Sequence, residues 1–241
     1  TAVLDGDEWV INGSKAFITN SGTEITSVIT ITALTGNGEI SSIMVPAGTP
    51  GLTVEPAYDK LGWHASDTHG LVFEDCRVPA ENLLGERGRG FHQFLAILDD
   101  GRIAIAALAV GLLQACLELS IEHSISREAF GRAIGANQGI AFQIADLDVA
   151  TESARLLTYK AAALKDAGQP IKMAAARAKL FATEAAVTAT RTLTQVLGGY
   201  GFIEEGPAAR LYRDAKILEV GEGTSEIQRL VISRQLGLPV L

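Results

Sequence analysis

One change of period divides this chain, and it limits the possible folds more than any other feature. Up to about residue 80 the apolar residues fall in short, β-branched stretches punctuated by turn residues. From Phe91 onward they recur every three or four residues, as on one face of a helix. The switch falls at Gly85-Glu86-Arg87-Gly88-Arg89-Gly90. This glycine-rich run lacks the Gly-Lys-Ser/Thr ending of a nucleotide P-loop and reads as a flexible joint. The expectation is an α+β chain of two domains: a β domain over residues 1–85 and a C-terminal helical bundle over residues 86–241.

Within the β part, Trp9-Val10-Ile11, the two-residue hairpin signal Asn12-Gly13, and Lys15 to Thr19 come first. Ile25 to Leu34, Ile40 to Val45, Leu52 to Glu55 and Thr68 to Val78 follow. Turns are expected at Thr35-Gly36-Asn37-Gly38 and at Pro46-Ala47-Gly48-Thr49-Pro50-Gly51. Six short strands with tight turns suggest a small antiparallel β-barrel or sandwich.

In the helical part, Phe94, Leu98, Ala106, Val110, Leu113, Leu117 and Ile121 share one face. Ile140, Ile144, Leu147, Ala154, Leu157, Ala161 and Leu164 share another, with a stop at Gly168. Met173, Leu180 and Val187 fall seven apart and lead to Leu193, Val196 and Leu197. Three helices of roughly 30 residues and two shorter ones, Ala208 to Leu218 and Ser225 to Leu236, make an up-down bundle.

The 241 residues carry 28 acidic and 20 basic side chains, a formal charge of −8, which argues against a nucleic-acid partner. Cys76 and Cys116 are too far apart in sequence for a disulfide framework and point to a reducing cytoplasm or mitochondrial matrix. The most hydrophobic run, Ile103 to Leu117, is broken by Gly111 and Gln114, so no membrane span is expected. His64, His69, His92 and His123 form no pair with metal-ligand spacing, and no metal is expected. The chain starts at Thr1 and enters a strand pattern within a few residues, which suggests a fragment.

The stretch with the most chemical content is Gly221-Glu222-Gly223-Thr224-Ser225-Glu226. Glycine on both sides lets backbone and ligand approach the Glu222 carboxylate. Thr224 or Ser225 can cap the following helix, which leaves free amide N–H groups near it. Two readings stay open on spacing alone: a general base beside an anion site, or a helix–turn–helix corner with a capping residue. Arg127-Glu128-Ala129-Phe130-Gly131-Arg132 is similarly double, a phosphate-holding group or an exposed helix end. Asp99-Asp100 and Glu204-Glu205 read as solvated faces or caps.

Taken in order, these stretches resemble the acyl-CoA dehydrogenase family, specifically its middle β domain and C-terminal helical domain. The landmarks are Asn12 to Asn20, Leu61-Gly62-Trp63 to Arg77-Val78-Pro79, and Asp99-Asp100-Gly101-Arg102. Arg127 with Phe130-Gly131 and Gln138, Gln195-Val196-Leu197-Gly198-Gly199, Arg213-Asp214-Ala215 and Glu222-Gly223-Thr224 complete them. The short-chain, straight-acyl branch looks nearest.

The resemblance implies an FAD enzyme that desaturates an acyl-CoA thioester. Glu222 matches the base that removes the α-proton while the β-hydrogen leaves as hydride to flavin N5. A carbon acid calls for a strongly basic carboxylate, which an apolar, water-excluding pocket favours. The Glu222 amide matches a donor to the thioester oxygen. Phe17 and Thr19 match the strand that covers the flavin ring. Arg127, Phe130 and Gln138, with Gln195, Val196, Leu197, Gly198 and Gly199, match contacts to the FAD of a neighbouring subunit. Thr224, Ser225 and Glu226 match flavin contacts after the base, while Asp99, Arg102 and Gly223 match the thioester side. A homotetramer arranged as a dimer of dimers, with an electron-transfer flavoprotein as acceptor, is the family pattern.

Three departures stand out: the family's N-terminal helical domain is absent, Gly221 replaces a frequent aromatic residue, and Phe17 replaces a frequent tryptophan. Gly101 sits where branched-chain relatives place another glutamate, which favours Glu222 as the base. An acyl-CoA oxidase-like or other CoA-thioester flavoenzyme and a non-catalytic oligomerising module are the alternatives.

Overall fold

In the computed structural model, which describes residues 1–240, the backbone forms two compact units, Thr1–Ile97 and Leu98 onward. The first holds seven strands: β1 (Ala2–Asp5), β2 (Glu8–Thr19), β3 (Val28–Leu34), β4 (Ile40–Pro46), β5 (Leu52–Ala57), β6 (Thr68–Pro79) and β7 (Leu83–Leu84). They form two antiparallel sheets, β1-β2-β6-β5 and β3-β4-β7. The α+β class therefore holds, and the β part is two sheets over one core rather than a closed barrel. Trp9, Ile11, Leu71, Phe73 and Val78 of one sheet share that core with Ile29, Ile31, Ile43 and Val45 of the other. Strict alternation of buried and exposed residues along β3 shows the half-buried pleat that places them there.

Asn12-Gly13 does not turn the chain. β2 runs through it, and a register shift against β6 between Ile11 and Gly13 absorbs the extra residue as a bulge. The hairpin lies earlier, where Gly6 at φ 64° leads from β1 into β2. A second shift, between Lys15 and Ile18, leaves Phe17 left-handed at φ 59°.

The glycine-rich run is also not loose. Gly88 N donates to Ser41 Oγ at 2.9 Å, Arg87 donates to the Thr35 carbonyl, and Arg87 pairs with Glu39. A Cβ on Gly90 would stand 2.6 Å from Ser42 N, so only glycine lets this strap lie against β4.

Six helices follow: α1 (Gly90–Ser126), α2 (Gln138–Asp166), α3 (Lys172–Leu197), α4 (Gly199–Phe202), α5 (Pro207–Val220) and α6 (Ser225–Gln235). A short hairpin, β8 (Glu128–Ala129) with β9 (Arg132–Ala133), joins α1 to α2. Phe130 and Gly131 form its turn at φ 54° and 78°, as a two-residue hairpin of that hand requires. Gly168 ends α2 left-handed, as expected from the sequence.

α3 is the axis of the second unit and packs on α2, α4, α5 and α6. Its buried stripe is not the Met173–Leu180–Val187 series, which is only half-buried. It is mostly alanine and threonine, Ala175, Ala178, Ala182, Thr183, Ala186, Ala189 and Thr190 among them, with Lys179, Leu193 and Val196 also buried. Small side chains let neighbouring helices approach closely, and the threonines satisfy their hydroxyls on preceding-turn carbonyls, such as Thr183 on Lys179 O at 2.8 Å.

Contrary to the expectation from the sequence, α1 is long and apolar enough by length and composition to cross a membrane, with a mean hydropathy of 2.0 over its best window. Ala106, Ala109, Leu113 and Cys116 on its central face are fully buried, and 39% of that window is buried within the chain. Three members of the acidic pairs are in ion pairs: Asp99 with Arg102, Asp100 with Lys165 at 2.8 Å, and Glu204 with Arg213.

Candidate active site

Glu222 sits on the short loop between α5 and α6. α5 ends at Val220, where Gly221 N donates to Ile217 O at 2.8 Å. The chain then takes two left-handed residues, Glu222 at φ 55° and Gly223 at φ 89°. For a residue with a Cβ this conformation costs about 1–2 kcal/mol, so surrounding bonds must impose it. Three groups do. Thr224 caps α6 by accepting from Ile227 N at 3.4 Å. The wholly buried Gln228 donates Nε2 to Gly223 O at 2.9 Å and to Glu222 O at 3.3 Å. Lys179, also wholly buried, donates Nζ to Gly223 O at 2.7 Å and to Glu219 O at 3.2 Å.

The carboxylate of this half-buried glutamate lies against the backbone of α1. A Cβ built on Gly101 would stand 2.9 Å from Glu222 Cδ and closer still to Oε2. The next residue, Arg102, is 4% exposed and paired with Asp99, and its Nε has no partner among the described residues. Burial lowers the Lys179 ammonium to about 8, and the charge of Arg102 adds to the effect, while Glu219, Glu222 and Glu184 oppose it. Glu226, in the first turn of α6, is held below the ordinary carboxylate range by its own backbone N–H and by Thr224. Ser225 Oγ is buried there without a partner among the described residues.

A second group assembles where α1, α3 and α4 end. Arg127, Val196, Leu197, Gly198 and Gly199 line an open cleft of about 550 Å³ with His123 and Tyr200. Gly198 also borders a neighbouring cleft of about 630 Å³ with Gln195 and Arg213. A Cβ on Gly198 or Gly199 would meet nothing within 4 Å, so the backbone lies open to a ligand. Val196 borders this cleft yet is only 4% exposed. Phe130 is fully exposed at the hairpin turn and Gln138 is exposed at the start of α2; neither lines these clefts.

The β unit carries the third group. Phe17 is 75% exposed, its ring 5.2 Å from that of Tyr58, and Thr19 ends β2 opposite Thr68.

The family profile described as acyl-CoA dehydrogenase, C-terminal domain, matches residues 88–237, and that of the middle domain matches residues 1–76. The chain belongs to the acyl-CoA dehydrogenase family. Over 238 residues it is 50% identical to the mitochondrial short-chain specific acyl-CoA dehydrogenase of Rattus norvegicus, covering 98% of this chain and 58% of the rat protein. Butyryl-CoA dehydrogenase from Megasphaera elsdenii matches at 42% identity and a TM-score of 0.94, over 98% of this chain and 62% of that one. A chain solved in work on the electron transferring flavoprotein of Acidaminococcus fermentans matches at 44% identity and a TM-score of 0.94, over 98% and 63%. The chain thus spans about three fifths of the length of each of these proteins.

Two participants at the Glu222 loop went unread in the sequence. A lysine among alanines looks like surface, yet Lys179 shares its helix face with Ala175, Ala182, Ala186 and Leu193 at alternating steps of four and three, and that spacing was the available signal. Gln228 in the amphipathic run after Glu222 had no such signal. At Gly221, where relatives often carry an aromatic residue, a Cβ would meet only Ile217 O at 3.4 Å, so nothing on its own backbone demands glycine.

Proposed function

We propose that this protein is an FAD-dependent acyl-CoA dehydrogenase of short, straight acyl-CoA thioesters, with Glu222 as the catalytic base. The observation that carries the reading is the seating of Glu222. A charged side chain on a strained two-residue loop, pinned by two buried donors and lodged against a helical glycine, is built to hold a carboxylate still.

The chemistry follows from this placement. Glu222 takes the proton from Cα, and the C–H electron pair becomes the new Cα=Cβ bond as the β-hydrogen leaves as hydride. FAD, when bound, supplies the acceptor for that hydride. Charge that builds on the thioester oxygen during proton removal is met by the Glu222 amide N–H, a donor fixed in place before the reaction begins. Arg102, buried and paired with Asp99, directly follows the glycine against which the carboxylate is seated.

The residues present suit a flavin dinucleotide. Phe17 offers a flat exposed ring and Thr19 a hydroxyl at the strand end. Arg127 offers a cation for a pyrophosphate, and Gln195, Val196, Leu197, Gly198 and Gly199 offer an open backbone beside it. Phe130 and Gln138 stand exposed to reach the FAD of a neighbouring subunit. Thr224, Ser225 and Glu226 form the start of α6, where the buried Ser225 hydroxyl has no partner among the described residues. Asp99, Arg102 and Gly223 take the thioester side.

The assembly proposed is a homotetramer, reducing an electron-transfer flavoprotein in a bacterial cytoplasm or mitochondrial matrix. The test is Glu222→Gln in the complete protein. It should keep its flavin and bind acyl-CoA, yet lose dye-coupled turnover by at least about 10³-fold, within the range that positioned proton transfer contributes. Turnover near wild type would refute the assignment.

A further inference from the structure

We propose that Lys179 is a positioning residue for this reaction: an ammonium inside the bundle that fixes the loop carrying the base. The proposal rests on reading Glu222 as that base.

Lysine is almost never fully buried, because an ammonium surrenders its hydration on leaving water. Lys179 has no exposed surface at all, in a helix stripe otherwise made of alanine, threonine and leucine. Methionine or leucine would fill the same space without that cost if filling were the requirement. The ammonium instead reaches two backbone carbonyls, Glu219 O at 3.2 Å and Gly223 O at 2.7 Å. These lie three residues before and one residue after Glu222, so a single donor group ties both ends of the segment that carries the carboxylate.

Each bond has its own rationale. Glu219 O belongs to the last turn of α5, where carbonyls lack helical partners and the helix dipole favours a cation. Gly223 O belongs to the left-handed turn and is shared with Gln228 Nε2. Because a peptide is planar and trans, drawing the Gly223 carbonyl toward Lys179 turns the Thr224 N–H the other way. The Gln228 bond to Glu222 O does the same for the Gly223 N–H. Lys179 and Gln228 thus set two successive peptide planes beside the base.

The charge has neighbours from every side. Arg102 on α1 shares its sign, while Glu219 on α5, Glu184 on α3 and Glu222 itself oppose it.

The experiment uses the complete holoenzyme with Lys179→Met and Lys179→Gln, and Glu222→Gln as reference. Turnover of a short acyl-CoA and its α-deuterated form is measured together with peptide-resolved hydrogen exchange. For Lys179→Met, kcat should fall about 10- to 100-fold, as displacement of a reacting group by a fraction of an ångström to an ångström does, with KM and flavin content nearly constant. The α-deuterium isotope effect on kcat should rise as proton removal becomes limiting. Exchange should quicken over residues 221–226 and stay unchanged over β2 and α2. Wild-type kcat, or a loss of kcat without faster local exchange, overturns the proposal. If Lys179→Met does not fold, Lys179→Gln decides by the same criteria. If Glu222→Gln keeps its turnover, the base assignment falls, and the exchange result alone decides whether Lys179 pins the loop.

Discussion

Gly101→Ala separates the position of the carboxylate from the stability of the fold. Gly101 lies inside α1 at helical φ, where alanine normally stabilises by about 0.5–1 kcal/mol. The added methyl, however, would stand 2.9 Å from Glu222 Cδ and nearer to Oε2. Carbon atoms rest about 3.5–4.0 Å apart, so the carboxylate must withdraw by about 0.6–1.1 Å. The obstacle is the end of a flexible side chain, so folding loses little while the proposed base loses its place. A misplacement of that size is worth about 100-fold in rate, or about 2.7 kcal/mol of barrier. The assay pairs dye-coupled turnover of a short acyl-CoA with a thermal melt and a flavin absorbance spectrum. The expected result is a normal spectrum, an equal or higher melting temperature, and kcat down by about two orders of magnitude. Activity within twofold of wild type would show that the carboxylate does not act from its seat on α1. A melting temperature several degrees lower would show that something other than a side chain has to yield.

Two further outcomes follow from the same coordinates. Gly51→Ala should destabilise the β unit by about 2–4 kcal/mol, read by the fluorescence of the buried Trp9 during unfolding. Its φ is +85° and the new Cβ would stand 2.9 Å from Cys76 Cα, backbone that cannot swing away; a loss below about 1 kcal/mol would contradict this. Lys179 gives a pH signature, because burial first, then Arg102, lowers it to about 8, against opposition from Glu219, Glu222 and Glu184. The unfolded chain, with Lys179 near 10.5, binds the extra proton between pH 8 and 10.5, so stability from this group rises with pH across that window. The melting difference between wild type and Lys179→Met should therefore move in favour of wild type from pH 7.5 to 10, and a flat or opposite trend would refute it.

The period change near Gly85 and the capping hydroxyl at Thr224 could be read from residue order, because both are local effects of backbone and side-chain chemistry. Asn12-Gly13 misled for the opposite reason. Its turn preference is local, but β6 runs along both sides of it and takes up the extra residue as a bulge, so pairing at a distance prevailed. The axis of the bundle was obscured because its buried face is alanine and threonine, which hydropathy hardly distinguishes from surface. Lys179 was hidden within that face, since its role depends on carbonyls about 40 residues further along the chain. The cleft that gathers Arg127 with Gly198 and Gly199 was approachable only through family resemblance, because chain order says nothing of how those helix ends meet.

The alanine stripe of α3 has a consequence for how such a protein would wear and adapt. α5 and α6, which carry the two ends of the Glu222 loop, both rest on that stripe. One methyl group inserted there, or a slight loosening of the helices with heat, would shift the Glu222 carboxylate before it unravelled any helix. Kinetic failure should thus precede melting, and drift toward larger core residues would be curbed by turnover well before solubility suffered.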